Sequence, residues 1–197
     1  MKRSTAFATT LTRLTYAITF LVEAGQGSAH GLAPDFIQTD RGWSPGQLST
    51  LIIAGGGIGI AGTTLSGRLA DRIGRRRVGA MLFALFPVGA FIVYSAGSGL
   101  MIPGFVLLVF VTTGANTILR AFSTELFPTS ARGTASGLFT LVGSVGAASG
   151  LYLVTQLTSA GESVAFGVRV VAVLALIAAV LAWLLPETAR RELDDIP

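Results

Sequence analysis

The stretch Gly67-Arg68-Leu69-Ala70-Asp71-Arg72-Ile73-Gly74-Arg75-Arg76-Arg77 decides how the rest of the chain is read. It packs five arginines and a single acid between two long apolar runs. Such a stretch is expected to be a short loop, 67–77, joining two antiparallel helices, with Gly67 and Gly74 supplying tight backbone turns. Its arginines would bind an anionic leaflet and resist translocation. Asp71 is the odd member, because a topology signal needs no acid. It can cap a neighbouring helix N-terminus or pair with arginine.

The surrounding chain fits a membrane setting. Of the 197 residues, 51% are hydrophobic and 12% charged, where a soluble domain carries about 25% charged residues. Mean hydropathy is +0.70. From Val78 to Leu119 there is no Lys, Arg, Asp or Glu, a run long enough for two crossings at about 20 residues each. Six apolar segments stand between charged or turn-rich punctuation, at 11–33, 47–66, 78–96, 101–119, 134–157 and 164–185. Inside lipid each peptide group must be hydrogen-bonded within the protein, so helices are expected throughout. The alternation of a membrane barrel is missing. The expected fold class is an all-α membrane protein with six transmembrane helices and a tail at 186–197.

Charge orders the segments across the membrane. Lys2, Arg3 and Arg13, then Arg68, Arg72, Arg75, Arg76 and Arg77, then Arg120 and Arg132, then Arg190 and Arg191 fall at one set of ends; the other set holds Arg41 and Arg169. The positive-inside rule makes the richer side cytoplasmic. The expected location is the cell membrane, multi-pass, with both termini cytoplasmic. The net charge of +4 is thereby a topology signal, and nucleic acid is not expected as a partner. Lys2, Arg3 and the run Leu14–Val22, followed by small residues to Ala29, also fit a cleaved signal peptide. That run continues past Glu23 to Pro34 with helical spacing of its polar residues, which favours a spanning helix.

With no cysteine and one histidine, His30, the chain has no thiol chemistry and no multi-histidine metal site. No metal or cofactor is expected. The only acid within an apolar segment is Glu23, so the constellations a membrane enzyme needs are missing and an enzyme is not expected.

Gly67 to Arg76 match the pattern G-x-L-A-D-R-x-G-R-R, and here the chain resembles the major facilitator superfamily. Two further stretches point the same way. Glu125-Leu126-Phe127-Pro128-Thr129-Ser130-Ala131-Arg132-Gly133 is similar to the sugar-porter pattern E-x6-R, and Pro186-Glu187-Thr188 is similar to its P-E-T ending. Pro128 would break the helix and let Glu125 and Arg132 sit at facing helix ends. The order of the three implies the C-terminal six-helix half of such a transporter, in a sugar-porter-like or metabolite:proton symporter branch. The resemblance further implies a 3+3 inverted repeat. It also implies a cytoplasmic gate built from Gly67, Asp71, Arg72, Gly74, Arg75, Arg76, Glu125, Arg132 and Glu187. The tail lacks the Lys-Gly common after P-E-T, and the Gln pairs that bind sugar in the family are not recognisable.

Polar residues inside the apolar segments are candidates for a solute or proton pathway. Tyr16, Thr19, Glu23, Gln26 and His30 form one stripe at 100° per residue. An acid at mid-bilayer costs roughly 2.5–3.5 kcal/mol on insertion scales, so Glu23 must face a polar cavity or a partner. Glu23, Gln26 and His30 are read as proton or substrate contacts, against a structural interhelical hydrogen bond. Thr112, Asn116 and Arg120 recur by four, and Ser149, Tyr152 and Gln156 share a face. Asn116, Tyr152 and Gln156 are candidate cavity linings, with helix joining as the alternative. Gly55, Gly59 and Gly62, and Gly143, Gly146 and Gly150, form small-residue stripes for close helix packing.

The expected function is alternating-access transport of a small solute, symport with protons, by one half of a transporter. The expected partners are membrane lipid, the small-molecule solute, and a complementary six-helix half or a second copy. The alternative is a truncated or accessory membrane subunit with no transport of its own.

Overall fold

A computed structural model of the chain describes residues 2–95, 97–125, 127 and 131–187, with side chains from Thr10 onward except that of Ser98. The tail at 188–197 and most of the turn after Glu125 lie outside the described residues. Among the described residues there are seven helices: α1 (Lys2–Thr39), α2 (Pro45–Ile73), α3 (Arg75–Ser95), α4 (Ser98–Glu125), α5 (Arg132–Ser159), α6 (Val164–Ala172) and α7 (Leu174–Ala182).

Local chemistry sets the boundaries. Ser44 accepts the Gln47 N–H while the Gln47 side chain accepts the Ser44 N–H, and Pro45 opens the helix with its φ already set. Ser163 starts α6 in the same manner through the Phe166 N–H. Gly74 ends α2 at φ +105°, a conformation that costs a side-chain-bearing residue about 1–2 kcal/mol.

The helices overrun several expected bounds. α1 continues through Pro34 to Thr39. The expected loop at 67–77 is almost wholly helical, because α2 runs to Ile73 and α3 begins at Arg75. Gly67 is therefore inside a helix and makes no turn; Gly74 alone makes it. The segment expected at 164–185 is divided at Val173 into α6 and α7, where i→i+3 bonds tighten the chain. Val168, Val170, Val171 and Val173 crowd this point, and β-branched side chains weaken a helix there.

Among the described residues five spans, with α6 and α7 counted as one, are long and apolar enough to cross a membrane. α1 is not among them, because its polar stripe lowers its hydropathy. It packs instead in the middle, against α5, α6 and α7 and also α2, α3 and α4. Polarity is inverted relative to a water-soluble protein. Thr15, Thr19, Gln26 and Ser28 are buried, while Ile53, Ile60, Val180 and Leu184 are exposed. An outer surface of this kind is suited to lipid or another apolar partner.

The packing is an inverted repeat. Helix pairs α1·α5 and α4·α2 make the most extensive contacts, and exchanging α1 with α4 and α2 with α5 turns one pair into the other. Contacts agree residue by residue. Gly55 lies against Phe105 and Val109, and Gly143 against Thr19 and Glu23. Gly62 lies on the backbone of Phe110, and Gly150 on that of Ala24. Each α1 residue corresponds to its α4 mate at one constant sequence separation, and each α2 residue to its α5 mate at another.

Candidate functional site

Two cavities of about 500 Å³ each flank the crossing of α1 and α4. One opens between α1, α4 and α5 near the arginine-rich end. The other opens between α1, α4 and α2 near the opposite end. The repeat relates them position by position. Asn116 and Arg120 in the first stand where His30 and Pro34 stand in the second. Ser136, Thr140 and Ser144 stand where Leu48, Ile52 and Gly56 stand, and Thr19 and Glu23 where Phe105 and Val109 stand. The two cavities have one architecture and opposite polarity. Hydroxyls, an acid and a base line one; aliphatic and aromatic groups line most of the other.

Between them lies a pair of hydrogen bonds. Asn116 Nδ2 donates to Gln26 Oε1 at 3.2 Å, and His30 Nε2 and Thr112 Oγ1 are joined at 2.8 Å. These two bonds are repeat mates, since His30 corresponds to Asn116 and Gln26 to Thr112. Gln26 is only 3% exposed, and its Nε2 has no partner. Tyr94 reaches from α3 to donate to the carbonyl of Ala29 at 2.7 Å, beside His30. Pro34, four residues beyond His30, has no N–H to return to that residue's carbonyl.

The expected polar stripe of α1 is thus divided among three places. Thr19 and Glu23 line the polar cavity, Gln26 sits at the crossing, and His30 turns to the apolar cavity. Tyr16 packs on Phe127 and Phe139. Asn116 lines the polar cavity. Tyr152 and Gln156 are not brought to either cavity. Both are exposed, Tyr152 at 63%, because α5 turns its face of Gly143, Gly146, Gly150 and Val154 inward. Periodicity put Tyr152 and Gln156 on one face without saying which face is inside. Ser136, Thr140 and Ser144 were missed as a set, although their spacing by four marks a hydroxyl stripe.

The arginine-rich end gathers the other candidates around Arg75. Its guanidinium pairs with Asp71 at 3.3 Å and, by a separate nitrogen, with Glu125. Its backbone N–H donates to Glu187 Oε1 at 2.7 Å, so Glu187 satisfies the first turn of α3. Arg76 bonds the Leu185 carbonyl at 3.5 Å and lies over the Trp183 ring. Asp71, Arg72, Gly74, Arg76 and Glu187 line a cavity of about 290 Å³. Three helices, α2, α3 and α4, and the start of the tail are tied at this end. Among the described residues Glu125 pairs with Arg75 rather than Arg132, whose Nε has no partner. A methyl added at Gly67 would lie 3.9 Å from Thr117, an ordinary contact. At the opposite end Arg169 donates to Ser95 at 2.9 Å and Arg41 lies over Phe36.

The fold is that of known transporters. The inward-open xylose transporter XylE of E. coli superposes with a TM-score of 0.67 at 16% identity, covering 93% of this chain and 49% of that one. A D-xylose-proton symporter superposes at 0.62 and 19% identity, covering 94% and 49%. In sequence, the MFS-type transporter lnaF of Aspergillus flavus is 29% identical over 148 residues, which is 71% of this chain and 30% of that protein. The probable metabolite transport protein CsbC of Bacillus subtilis is 36% identical over 76 residues, 38% of this chain and 16% of that protein. The chain spans about half the length of the transporters whose structures it resembles. The family model of the Major Facilitator Superfamily matches residues 15–196. With one six-helix inverted repeat and that match over nearly its whole length, the chain belongs to the Major Facilitator Superfamily.

Proposed function

We propose that this chain moves a small solute across the cell membrane by alternating access, coupled to protons, with its termini in the cytoplasm. It would work as the equivalent of a C-terminal half, beside a complementary six-helix half or a second copy. The observation that carries this reading is the contrast between the two repeat-related cavities. Packing alone is met by apolar side chains in one, so the acid, base and hydroxyls of the other need a reason beyond packing. A solute that must leave water supplies it. Glu23, lining that cavity without an ion pair among the described residues, is the proposed proton carrier, with Asn116 as a solute contact.

The cluster around Arg75 is proposed as the cytoplasmic latch. Its ties hold α2, α3, α4 and the start of the tail together at one end, and alternate opening requires such ties to break and reform. A second reading, an accessory subunit with no transport of its own, is favoured by the outward apolar faces of α2 and α5, where Ile53, Ile60, Leu141 and Val145 are exposed. Vesicles containing the chain, with and without a complementary half, would be loaded with a pH-sensitive dye and given a panel of solutes. Solute-driven proton entry that disappears in Glu23→Gln is expected. Entry that keeps its full pH dependence in Glu23→Gln would remove the proton role, and no entry under any pairing would favour the accessory subunit.

A further inference from the structure

The Arg120 guanidinium faces the polar cavity, exposed, and makes no hydrogen bond or close ion pair with any described residue, although its charge acts at longer range on Glu23 in the same cavity. The repeat mate of Arg120 is Pro34, so the position needs no charge for the bundle to pack. The hydroxyl wall opposite is equally specific in what it lacks. Thr140 donates to the Ser136 carbonyl at 3.1 Å and Ser144 to the Thr140 carbonyl at 3.0 Å. Their protons are thus spent on their own helix, and only lone pairs are left for a ligand. Asn116 likewise spends an amide N–H on Gln26 and has its carbonyl oxygen to offer. The cavity therefore presents the Arg120 cation, the Glu23 carboxyl, and acceptors that outnumber the remaining donors.

We infer that it takes a small hydroxylated carboxylate, a hydroxy acid or sugar acid, with the carboxylate on Arg120 and the hydroxyls donating to Thr140, Ser144 and Asn116. The inference rests on the polar cavity being the solute site. A guanidinium matches a carboxylate in two parallel hydrogen bonds. With Glu23 carrying its proton, a neutral sugar would donate to the wall but leave Arg120 without a counter-charge once the site closed, and an unpaired buried charge is costly. An amine would meet the arginine directly. A carboxylate on Arg120 together with a proton on Glu23 leaves the filled cavity without net charge, the state best suited to crossing a low-dielectric interior.

The test is calorimetric binding to the purified full chain in detergent, using sodium D-gluconate, D-glucose and sodium hexanoate. Gluconate is expected to bind, with glucose and hexanoate weaker by about tenfold or more. Arg120→Gln should weaken gluconate by about tenfold, the scale of a lost charged hydrogen-bond pair, and leave the unfolding temperature without ligand unchanged. Ser144→Trp, which fills the cavity, should abolish binding. Glucose binding as well as gluconate, or gluconate undiminished in Arg120→Gln, overturns the substrate class; if Ser144→Trp still blocks that binding, the cavity stands as the solute site. Gluconate binding that Ser144→Trp leaves intact overturns both, and no binding of gluconate overturns the class.

Discussion

Gln26 and Asn116 meet across the α1–α4 crossing with 3.2 Å between Oε1 and Nδ2, and the exchange of the two three-helix units converts that bond into the one joining His30 and Thr112. The crossing is therefore held by two symmetry-related polar contacts where apolar side chains would pack as well. Each contact borders a different cavity.

Asn116→Ala removes the hydrogen-bond partner that the structure gives the buried Gln26 side chain, whose other end is already unpaired. A cost of about 1–3 kcal/mol follows from orphaning a buried amide. Thr112→Ala should cost less, because His30 is only partly buried. A double-mutant cycle on Gln26 and Asn116, read by reversible unfolding in mixed detergent, should give a coupling of roughly 0.6–1.7 kcal/mol. Strict additivity would show that the contact carries no energy.

The two glycines of the first motif should respond differently. Gly74 has φ +105°, and an added Cβ would run into the Glu187 carboxylate. Gly74→Ala is expected to lower stability by about 1–3 kcal/mol, from left-handed strain together with the displaced Glu187. Gly67→Ala lies in a helix with room for a methyl, so it should be neutral or gain up to about 1 kcal/mol. Equal unfolding temperatures for both variants would contradict the geometry.

Close packing of α5 on α1 predicts a second glycine contrast. A methyl at Gly150 would overlap the Ala24 backbone, whereas one at Gly57 would meet nothing within 4 Å. Gly150→Ala should cost about 1–3 kcal/mol, since backbone must move. Gly57→Ala should not destabilise. Thermal unfolding followed by circular dichroism separates them.

Arg75 should prove unequal towards its two acids. Asp71 is 67% exposed and pairs within one turn of helix, whereas Glu125 is 26% exposed and belongs to another helix. A cycle with Asp71→Asn should give at most about 0.5 kcal/mol; the cycle with Glu125→Gln should exceed it. If the cluster is a latch, Arg75→Gln should also change the rate of opening at the arginine-rich end, read by spin labels at exposed Leu69 and Trp183. No change in that rate would leave Arg75 a purely static tie.

Much of this was legible in the residues. The basic motif, the alternation of charge and the apolar runs led to a membrane bundle with a repeat, and the glycine stripes of α2 and α5 were recognisable as packing faces. A motif is less informative about where its backbone turns. Gly67 and Gly74 look alike in sequence, yet only Gly74 adopts a positive φ, because Ala70 and its neighbours continue the helix up to Ile73. Glu125 was expected to face Arg132 across the Pro128 turn, and it pairs instead with Arg75, far earlier in the chain. No local spacing contains that contact. Tyr152 and Gln156 carry the same polar periodicity as Asn116 but lie on the outer side of α5.

By itself the sequence determined which segments are apolar, which ends carry the positive charge and which helix bears the polar stripe. These are properties of single helices, set by side-chain transfer energies and by 3.6-residue periodicity. The tertiary structure decided which polar face meets another and which is left outward. It also decided that two equivalent cavities differ in chemistry, and that Arg120 joins Glu23 in the polar one. Those choices depend on how helices cross, which is settled by close contact between residues far apart in the chain.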